Sequence, residues 1–336
     1  MLPALIALAG ALVYGSADFL GGLAARSLRS IVVTALAALA GLVLLVAAYP
    51  FVGGAWLPAD VGWGVLSGFM GAAAIVLLYA CLAIGPMSIL SPLTAVVSAI
   101  APIVWGLLVA GETLSWVGYA GLAVALVAVV LVGFIPGARV VRPSVRGLLL
   151  AVGAGLAIGA FLIVIDQTSP ESGLVPLILN RTVSSVITIA AVGVLAVVAV
   201  RSGRRAASVF TAAGAQLGAT PTGHADLEHA AESPESSPVQ SPAPAPAQSP
   251  AVPVLRISLR RAVVLAAACG IVDAIANVLL LFALRNGDLT IVSALTAMYP
   301  AGTILLAAIV LRERIAGIQW LGLALALAAG AMLALA

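Results

Sequence analysis

The chain has 336 residues, of which 63% are hydrophobic and only 8% are charged, and this composition excludes a soluble globular domain. The 15 basic and 12 acidic side chains give a formal net charge of +3, which membrane topology explains without a nucleic-acid partner. Several segments of about 18 or more residues carry no charge, and each can cross a hydrocarbon core of about 30 Å as a helix. The sequence therefore predicts an all-α polytopic membrane protein.

Ten apolar segments follow one another along the chain, and each has the length of a transmembrane helix. The predicted spans are 2–23, 31–50, 61–82, 89–109, 116–134, 145–165, 173–200, 259–284, 289–311 and 315–335. The first span has no basic residue before it and no convincing cleavage site after it, so we expect a retained helix and not a signal peptide.

Residues 201–258, between the seventh and eighth spans, have a different composition. Their core, "SPESSPVQSPAPAPAQSPAVP", is rich in Pro, Ala and Ser and has no aromatic residue, so it predicts a disordered linker. Both histidines, His224 and His229, lie in this linker, where a metal ion would lack a fixed set of ligands. We therefore expect no metal site and no cofactor. Cys81 and Cys269 lie in apolar spans and are interpreted as small packing residues.

The basic residues predict the orientation of the chain, and all fifteen are arginines. Arg285 lies in an even-numbered connection and Arg181 within a span, whereas the other arginines lie in or beside odd-numbered connections: Arg26, Arg29, Arg139, Arg142, Arg146, Arg201, Arg204, Arg205, Arg256, Arg260, Arg261, Arg312 and Arg314. Because basic residues favour the cytoplasmic side, we expect the linker 201–258 in the cytoplasm, both termini outside, and a location in the cell membrane.

One stretch of the sequence occurs twice. "AIGPMSILSPLTAVVSAIAPIVWGLLVAGETLSWVGYAG" (83–121) aligns with "LRNGDLTIVSALTAMYPAGTILLAAIVLRERIAGIQWLG" (284–322), so that Gly85 falls on Gly287. With one residue of slippage, Glu112 falls on Glu313. The repeat predicts a duplicated five-helix module, and an odd number of spans per copy forces the copies to insert in opposite orientations.

The predicted fold is therefore ten transmembrane helices arranged as two inverted five-helix repeats. Residues 1–137 form the first repeat, 138–200 the first two helices of the second, 201–258 the linker and 259–336 the last three helices. Many secondary transporters are built from such repeats, with the substrate site between the halves near the midplane.

The repeated unit resembles the EamA-type module of the drug/metabolite transporter superfamily. The stretch from Ala283 to Leu333 carries the resemblance, through Gly287, Tyr299-Pro300, Glu313, Gln319 and Gly322. The segment "YGSADFLGGLAAR" (14–26) is similar to one bacterial branch of that superfamily. The resemblance implies ten helices and a carrier rather than a channel. The first copy departs from the pattern, because Pro300 aligns with Ser98 or Ala99 and the nearest proline is Pro102.

The repeat motif has structural and functional interpretations. Pro300 removes one backbone donor from its helix, which produces either a simple kink or a hinge. Glu313 stands between two arginines, and we expect a local ion-pair clasp there, with a coupling role as the alternative. For the other motif residues we expect structural roles: Gly85, Glu112, Gly287 and Tyr299.

Ionisable side chains within the spans are the candidate functional residues, because each costs about 2.5–3.5 kcal/mol on insertion scales. The candidates are Asp273 near the midplane, Arg181 and Asp18, each of which could instead have a structural role. We expect Asp273 and Arg181 to approach each other in at least one state, because burying either alone is costly. Asn180 and Asn277 are candidates for binding neighbouring helices or substrate. Asp166 closes the sixth span and is expected to be wetted at the outer mouth.

These observations predict a secondary active transporter that exports a small metabolite or drug-like molecule by alternating access. A buried carboxylate such as Asp273 can bind and release a proton as its surroundings change, so the proton is the expected coupling ion. The expected partners are a small-molecule substrate and the bilayer, and the protein is expected to be a monomer or a homodimer. The alternative is a non-transporting membrane protein, such as an ion channel or a lipid-modifying enzyme, but no filter-like sequence and no histidine occurs in any span.

Overall fold

The computed structural model describes residues 1–82, 87–133, 144–203, 205, 209–210, 258–311 and 316–335. Within these ranges the chain is helical and forms no sheet. The helices are α1 (Leu2–Ala25), α2 (Ser30–Val52), α3 (Pro58–Leu82), α4 (Met87–Leu108), α5 (Trp116–Val132), α6 (Val145–Asp166), α7 (Val175–Arg201), α8 (Leu259–Leu284), α9 (Leu289–Thr296), α10 (Tyr299–Leu306) and α11 (Gly317–Ala334). Most of the linker lies outside the described residues, as do His224, His229, Gly85 and Glu313.

The described helices have the lengths that membrane crossing requires. Eight candidate spans are long and apolar enough to cross a bilayer, with Leu289–Val310 counted as one of them. Two shorter apolar helices, Leu93–Leu108 and Trp116–Val132, lie in the predicted fourth and fifth spans. The ends of the helices agree with the predicted spans to within three residues. The chain is thus a multi-pass helical membrane protein.

Helices from the two halves of the chain pack against one another. The main pairs outside sequence neighbours are α1 with α8, α3 with α6, α5 with α11, α4 with α6, α2 with α7 and α8, and α3 with α7. Small residues allow the backbones to approach closely. A Cβ atom at Gly270 of α8 would collide with the backbone of Ala37 in α2, and one at Gly68 of α3 would lie 2.7 Å from the Cβ of Val183 in α7.

Several connections gather at one end of the bundle, which we call the Arg285 end. The backbone amide of Leu174 donates to the carbonyl of Gly53 at 3.2 Å, and the amide of Ala55 donates to the carbonyl of Glu171 at 2.8 Å. Gly54 (φ 148°) and Gly173 (φ 51°) have backbone angles that favour glycine, and both lie in this crossing of two loops. The two loops therefore hold α2, α3, α6 and α7 together.

The predicted ninth span is interrupted, which corrects the expectation of one helix with an internal proline. Helix α9 ends at Thr296, and α10 begins at Tyr299, after a turn at Ala297 and Met298. Pro300 has no N–H with which to pair the carbonyl of Thr296, so the regular hydrogen-bond ladder cannot continue there. Pro300 instead occupies the first turn of α10, where a missing donor is tolerated. The five residues Ala307–Leu311 form a π-helical turn at the end of this span.

Candidate functional site

Helices from both halves of the chain line a central cavity. The empty space in the cavity and at its open side together amounts to about 1010 Å³. Its apolar wall includes Ile75, Ile158, Phe161, Leu162 and Leu280. Most of its polar side chains come from the second half, on α7, α8 and α9. The cavity is therefore a mostly apolar chamber with a few polar groups, which is typical of a small-molecule site.

An ion pair lies in the wall of this cavity. Arg181 of α7 donates from Nη2 to the Oδ2 atom of Asp273 on α8, as the sequence predicted from the cost of burying either charge alone. Only 9% of the arginine side chain and 7% of the aspartate side chain are exposed. Each charge thus compensates the other within the membrane-spanning part of the protein.

Two asparagines predicted as site residues flank the pair, and both line the cavity. Asn277 lies one turn after Asp273 and donates from Nδ2 to the carbonyl of Asp273 at 2.8 Å and to its Oδ2 atom at 3.3 Å. Asn180 donates to Oγ of Ser67 on α3 at 3.1 Å. Asn277 therefore positions the carboxylate, while Asn180 joins α7 to α3.

Close packing of α2 against α8 fixes the back of the ion pair. A Cβ atom at Gly41 would lie 2.9 Å from the carbonyl oxygen of Gly270 and 3.7 Å from Nε of Arg181. Because neither glycine leaves room for a side chain, α2 lies directly behind the guanidinium group. The arginine is held by this helix–helix contact as well as by its carboxylate partner.

Asp18, another predicted site residue, is 2% exposed but is not part of the cavity wall. Tyr14 and Tyr299 line the cavity, and Asp18 is close enough for its charge to act on both rings. Gly15 packs against the backbone of α10, where Thr303 donates from Oγ1 to the Gly15 carbonyl at 3.1 Å. Asp18 is thus buried near the two tyrosines, next to the contact between α1 and α10.

Sequence reasoning did not identify several hydroxyl residues of the cavity, among them Ser293 and Thr296. They lie three residues apart on α9, so one face of the helix carries both. The sequence does carry a signal for them: two hydroxyl residues share one helix face shortly before the Tyr299-Pro300 pair, where the helix is interrupted.

Glu112, predicted as a structural residue of the repeat, caps a helix of the opposite half. Its carboxylate accepts hydrogen bonds from the backbone amides of Leu289 at 2.8 Å and Thr290 at 2.9 Å, at the start of α9. A negative charge is favourable at this end of a helix. Burial raises the pKa of the Asp288 carboxyl, and the charge of Glu112 raises it further. Glu112 therefore fixes the first turn of the helix that carries Ser293 and Thr296.

A second polar cluster at the Arg285 end was also missed by sequence reasoning. Arg285 donates from Nη2 to the carbonyls of Ser169 at 3.1 Å and Gly173 at 3.0 Å. Asp60 at the start of α3 accepts from the amide of the same Ser169 at 3.2 Å. Burial lowers the pKa of the Arg285 guanidinium, and the nearby Asp60 charge opposes this effect.

The cluster joins the end of α8 to the loop between α6 and α7 and to α3. Asp166, which sequence reasoning placed at a wetted mouth, is half-buried at the end of α6 and accepts from Gln167 at 3.4 Å.

Part of the chain matches the model of a known protein family. Residues 247–335 match the model of the EamA-like transporter family. This confirms, for that part of the chain, the resemblance predicted from Ala283 to Leu333. No curated protein matches the chain.

Twenty-six chains of known structure match this chain. One, titled "Crystal structure of protein", has a TM-score of 0.62 and 17% sequence identity, and the match covers 99% of this chain and 97% of that one. At this level of identity, the likeness shows a shared fold.

Proposed function

We propose that this chain, whose residues 247–335 match a transporter family, is a secondary active transporter. It exports a small metabolite or drug-like molecule by alternating access, and protons drive the export. The observation that carries this proposal is the buried Arg181–Asp273 ion pair in the wall of the central cavity. An ion pair at this depth stabilises a fold poorly compared with apolar packing, which favours a working role.

Proton coupling requires a group whose proton affinity differs between two states. The carboxylate of Asp273 is paired with Arg181 in this state, and adding a proton removes the attraction that holds the pair. A state that separates the two side chains therefore binds a proton more readily than this state. Asn277, which donates to both the backbone and the carboxylate of Asp273, remains a partner for either form of the acid.

The pattern of helix contacts supports an architecture of two inverted five-helix repeats. The most extensive contact pairs each have a counterpart when every span is replaced by the span five places away. The contact of α1 with α8 corresponds to that of α6 with α3, and the contact of α2 with α8 to that of α7 with α3. Such a pseudo-symmetric arrangement provides two related conformations that open to opposite sides of the membrane.

The test is flux into liposomes that contain the purified protein. A growth screen of an overexpressing strain against amino acids, their analogues and cationic toxins first provides a substrate. We expect an imposed pH gradient to drive flux through the wild type. Asp273→Asn should abolish the response to the gradient while sparing expression, because the asparagine oxygen still accepts a hydrogen bond from Arg181.

Asp166→Asn is the matched control, because Asp166 is a membrane-segment carboxylate outside the cavity wall, and it should keep the response to the gradient. If Asp273→Asn transports at the wild-type rate with an unchanged pH profile, Asp273 is a packing residue. The coupling carboxylate must then be sought at Asp18.

The proposed location is the cell membrane, with the linker 201–258 in the cytoplasm, as the distribution of arginines favours. A protease added outside intact cells should leave the linker uncut, whereas the same protease should cut it in inverted membrane vesicles. Cleavage in intact cells would reverse the proposed orientation.

A further inference from the structure

Two buried hydroxyl groups face the cavity without a hydrogen-bond partner in the described part of the chain. Ser293 is 0% exposed and Thr296 is 8% exposed, and both line the cavity. Neither Oγ of Ser293 nor Oγ1 of Thr296 bonds to a described protein atom. A buried polar group that is left unpaired lowers stability, so two of them on one helix face need an explanation.

Ser30 and Ser185 are also buried without a partner in the described part of the chain, but neither lines the cavity. The other hydroxyl residues of the described helices behave differently. Most donate to a carbonyl oxygen in the preceding turn, which is the usual solution for a serine or threonine in an apolar helix: Ser16 to Leu12, Thr34 to Ser30, Thr94 to Leu90, Ser98 to Ala95, Thr182 to Ile178 and Thr188 to Ser184. Ser293 and Thr296 do not use this solution, although α9 offers carbonyl oxygens at the required positions. Both hydroxyl groups are thus buried in the cavity lining without the usual carbonyl partner.

The position of the two residues in the fold favours the same interpretation. Thr296 is the last residue of α9, and the chain turns at Ala297 and Met298 before Pro300. Pro300 cannot donate to the Thr296 carbonyl, so the regular hydrogen-bond ladder is interrupted beside the two hydroxyl groups. Interrupted helices near the midplane of a membrane protein are found where they line a cavity or a binding site.

The charge of the cavity limits what it can bind. Among the described residues that line it, the charged side chains are Arg181 and Asp273, which neutralise each other in the ion pair. A cation or an anion that entered the cavity would have no free counter-charge among these residues, and a zwitterion would have to separate the pair. An uncharged molecule meets neither difficulty, and its apolar part can contact side chains such as Phe161 and Leu162.

We propose that Ser293 and Thr296 form a subsite for the hydrogen-bonding group of an uncharged, partly apolar substrate that carries an amide or a hydroxyl group. The inference rests on the proposed transport function, because it names the class of substrate that the cavity carries. The hydroxyl groups hold the polar end of the substrate, and the apolar wall holds its body. The ion pair stays intact while this substrate is bound.

Matched probes with the same aromatic ring test the class of ligand. The purified protein is heated in detergent with phenylacetamide or 2-phenylethanol, which are uncharged, and its Tm is measured by tryptophan fluorescence. The same measurement is made with ethylbenzene, phenethylammonium, phenylacetate and phenylalanine. We expect both uncharged polar probes to raise Tm in a concentration-dependent way, and ethylbenzene and the charged and zwitterionic probes to have much weaker effects at equal concentration.

Two variants test the subsite itself. Ser293→Ala/Thr296→Val keeps the shape of the cavity, and it should weaken binding of phenylacetamide by about tenfold or more, because two hydrogen bonds are lost. Its Tm without a probe should not fall, since no hydrogen bond to the described protein is removed. Thr188→Val is the control, because Thr188 lies outside the cavity wall and donates to Ser184 at 2.7 Å. It should lower Tm but keep the affinity for phenylacetamide.

The proposal is overturned if neither uncharged polar probe raises Tm, if phenylalanine or a charged probe binds more tightly, or if the double variant binds phenylacetamide as well as the wild type. A lowered Tm of the double variant without a probe would assign the two hydroxyl groups a structural role and would also overturn it. These outcomes are separate from failure of the proposed function. Absence of flux under a pH gradient, with probe binding retained, contradicts transport, whereas flux without probe binding contradicts only the subsite.

Discussion

The third and eighth spans, α3 and α8, are corresponding helices of the two proposed repeats, and they use glycine in the same way. The spacing that aligns Gly85 with Gly287 also aligns Gly68 with Gly270. Gly68 packs tightly against α7, and Gly270 packs tightly against α2. The residue that lets each helix approach its neighbour in the other half is therefore a glycine at the same aligned position.

The cavity faces of the same two helices differ completely. Gly71 and Ile75 of α3 align with Asp273 and Asn277 of α8, and all four line the cavity. The aligned packing position is a glycine in both helices, whereas the aligned positions that face the cavity have a different chemistry. In the proposed duplication, the close helix packing is therefore shared by the two copies but the charged site is not.

The largest expected effect comes from removing one charge of the site. Arg181→Ala leaves the buried carboxylate of Asp273 without a partner, which should cost about 3–5 kcal/mol and sharply reduce both yield and transport. Arg181→Ala/Asp273→Asn removes both charges and makes the second copy as uncharged at the cavity wall as the first. The double variant should recover most of the yield and of the thermal stability in detergent, but not the transport. Equal stability of the single variant and the wild type would contradict the burial of an essential pair.

Substitution of a glycine at a packing position should destabilise the protein less than loss of the ion pair does. It should destabilise the protein far more than substitution of a glycine that faces the cavity. A Cβ atom at Gly270 would overlap the backbone of Ala37, so Gly270→Ala should destabilise the protein by about 1–3 kcal/mol. Gly71→Ala is the matched control, because nothing lies within 4 Å of the Cβ position of Gly71. It should leave thermal stability unchanged or slightly raised, since alanine favours a helix. A similar loss of Tm in both variants would contradict this assignment of roles.

Replacing the two aligned threonines should change stability by a smaller amount. Thr94 and Thr296 occupy the same position in the two repeats, but Thr94 donates to the carbonyls of Leu90 at 3.0 Å and Ala151 at 3.2 Å. Thr94→Val should therefore cost about 1 kcal/mol, and Thr296→Val should cost nothing in the absence of ligand. Thermal unfolding of the two variants side by side measures the difference, and a reversed order would show that the hydroxyl of Thr296 has a structural partner.

The smallest loss of stability is expected at Glu112, whose carboxylate caps a helix in the other half of the chain. Glu112→Gln weakens the interaction with the start of α9 and should cost about 0.5 kcal/mol. Because the pKa of Asp288 is raised, the folded protein binds its proton more tightly than the unfolded protein does. Stability should therefore fall as the pH rises from the ordinary range of an aspartate through this raised pKa.

Glu112 contributes to that shift, after burial, so Glu112→Gln should make the decline of stability with pH shallower. The measurement is Tm against pH for the two proteins. An unchanged slope would mean that the Glu112 charge does not act on Asp288.

The sequence predicted the features that depend on the cost of burying charge. Uncharged stretches located the helices to within a few residues, and the isolated charges Arg181 and Asp273 predicted the ion pair, because each needs the other in an apolar environment. Pro300 indicated an irregularity in the ninth span, but the sequence did not distinguish a kink from two separate helices.

Features that depend on which helices become neighbours could not be predicted from the sequence. Glu112 lies far along the chain from the backbone amides of α9, and Arg285 binds carbonyls of a loop more than a hundred residues away. Ser293 and Thr296 resemble many other hydroxyl residues in apolar helices, and only the three-dimensional arrangement shows that they lack the usual carbonyl partner.

The mutual neutralisation of Arg181 and Asp273 has an electrical consequence. With the ion pair intact and an uncharged substrate bound, the site carries no net charge. The conformational change that moves the loaded site across the membrane therefore does not respond to the membrane potential. Adding a proton to Asp273 leaves the positive charge of Arg181, and moving one elementary charge across 100 mV is worth about 2.3 kcal/mol. In the proposed exchange, an interior-negative membrane potential therefore draws the proton-loaded protein inward and acts only on the return half of the cycle.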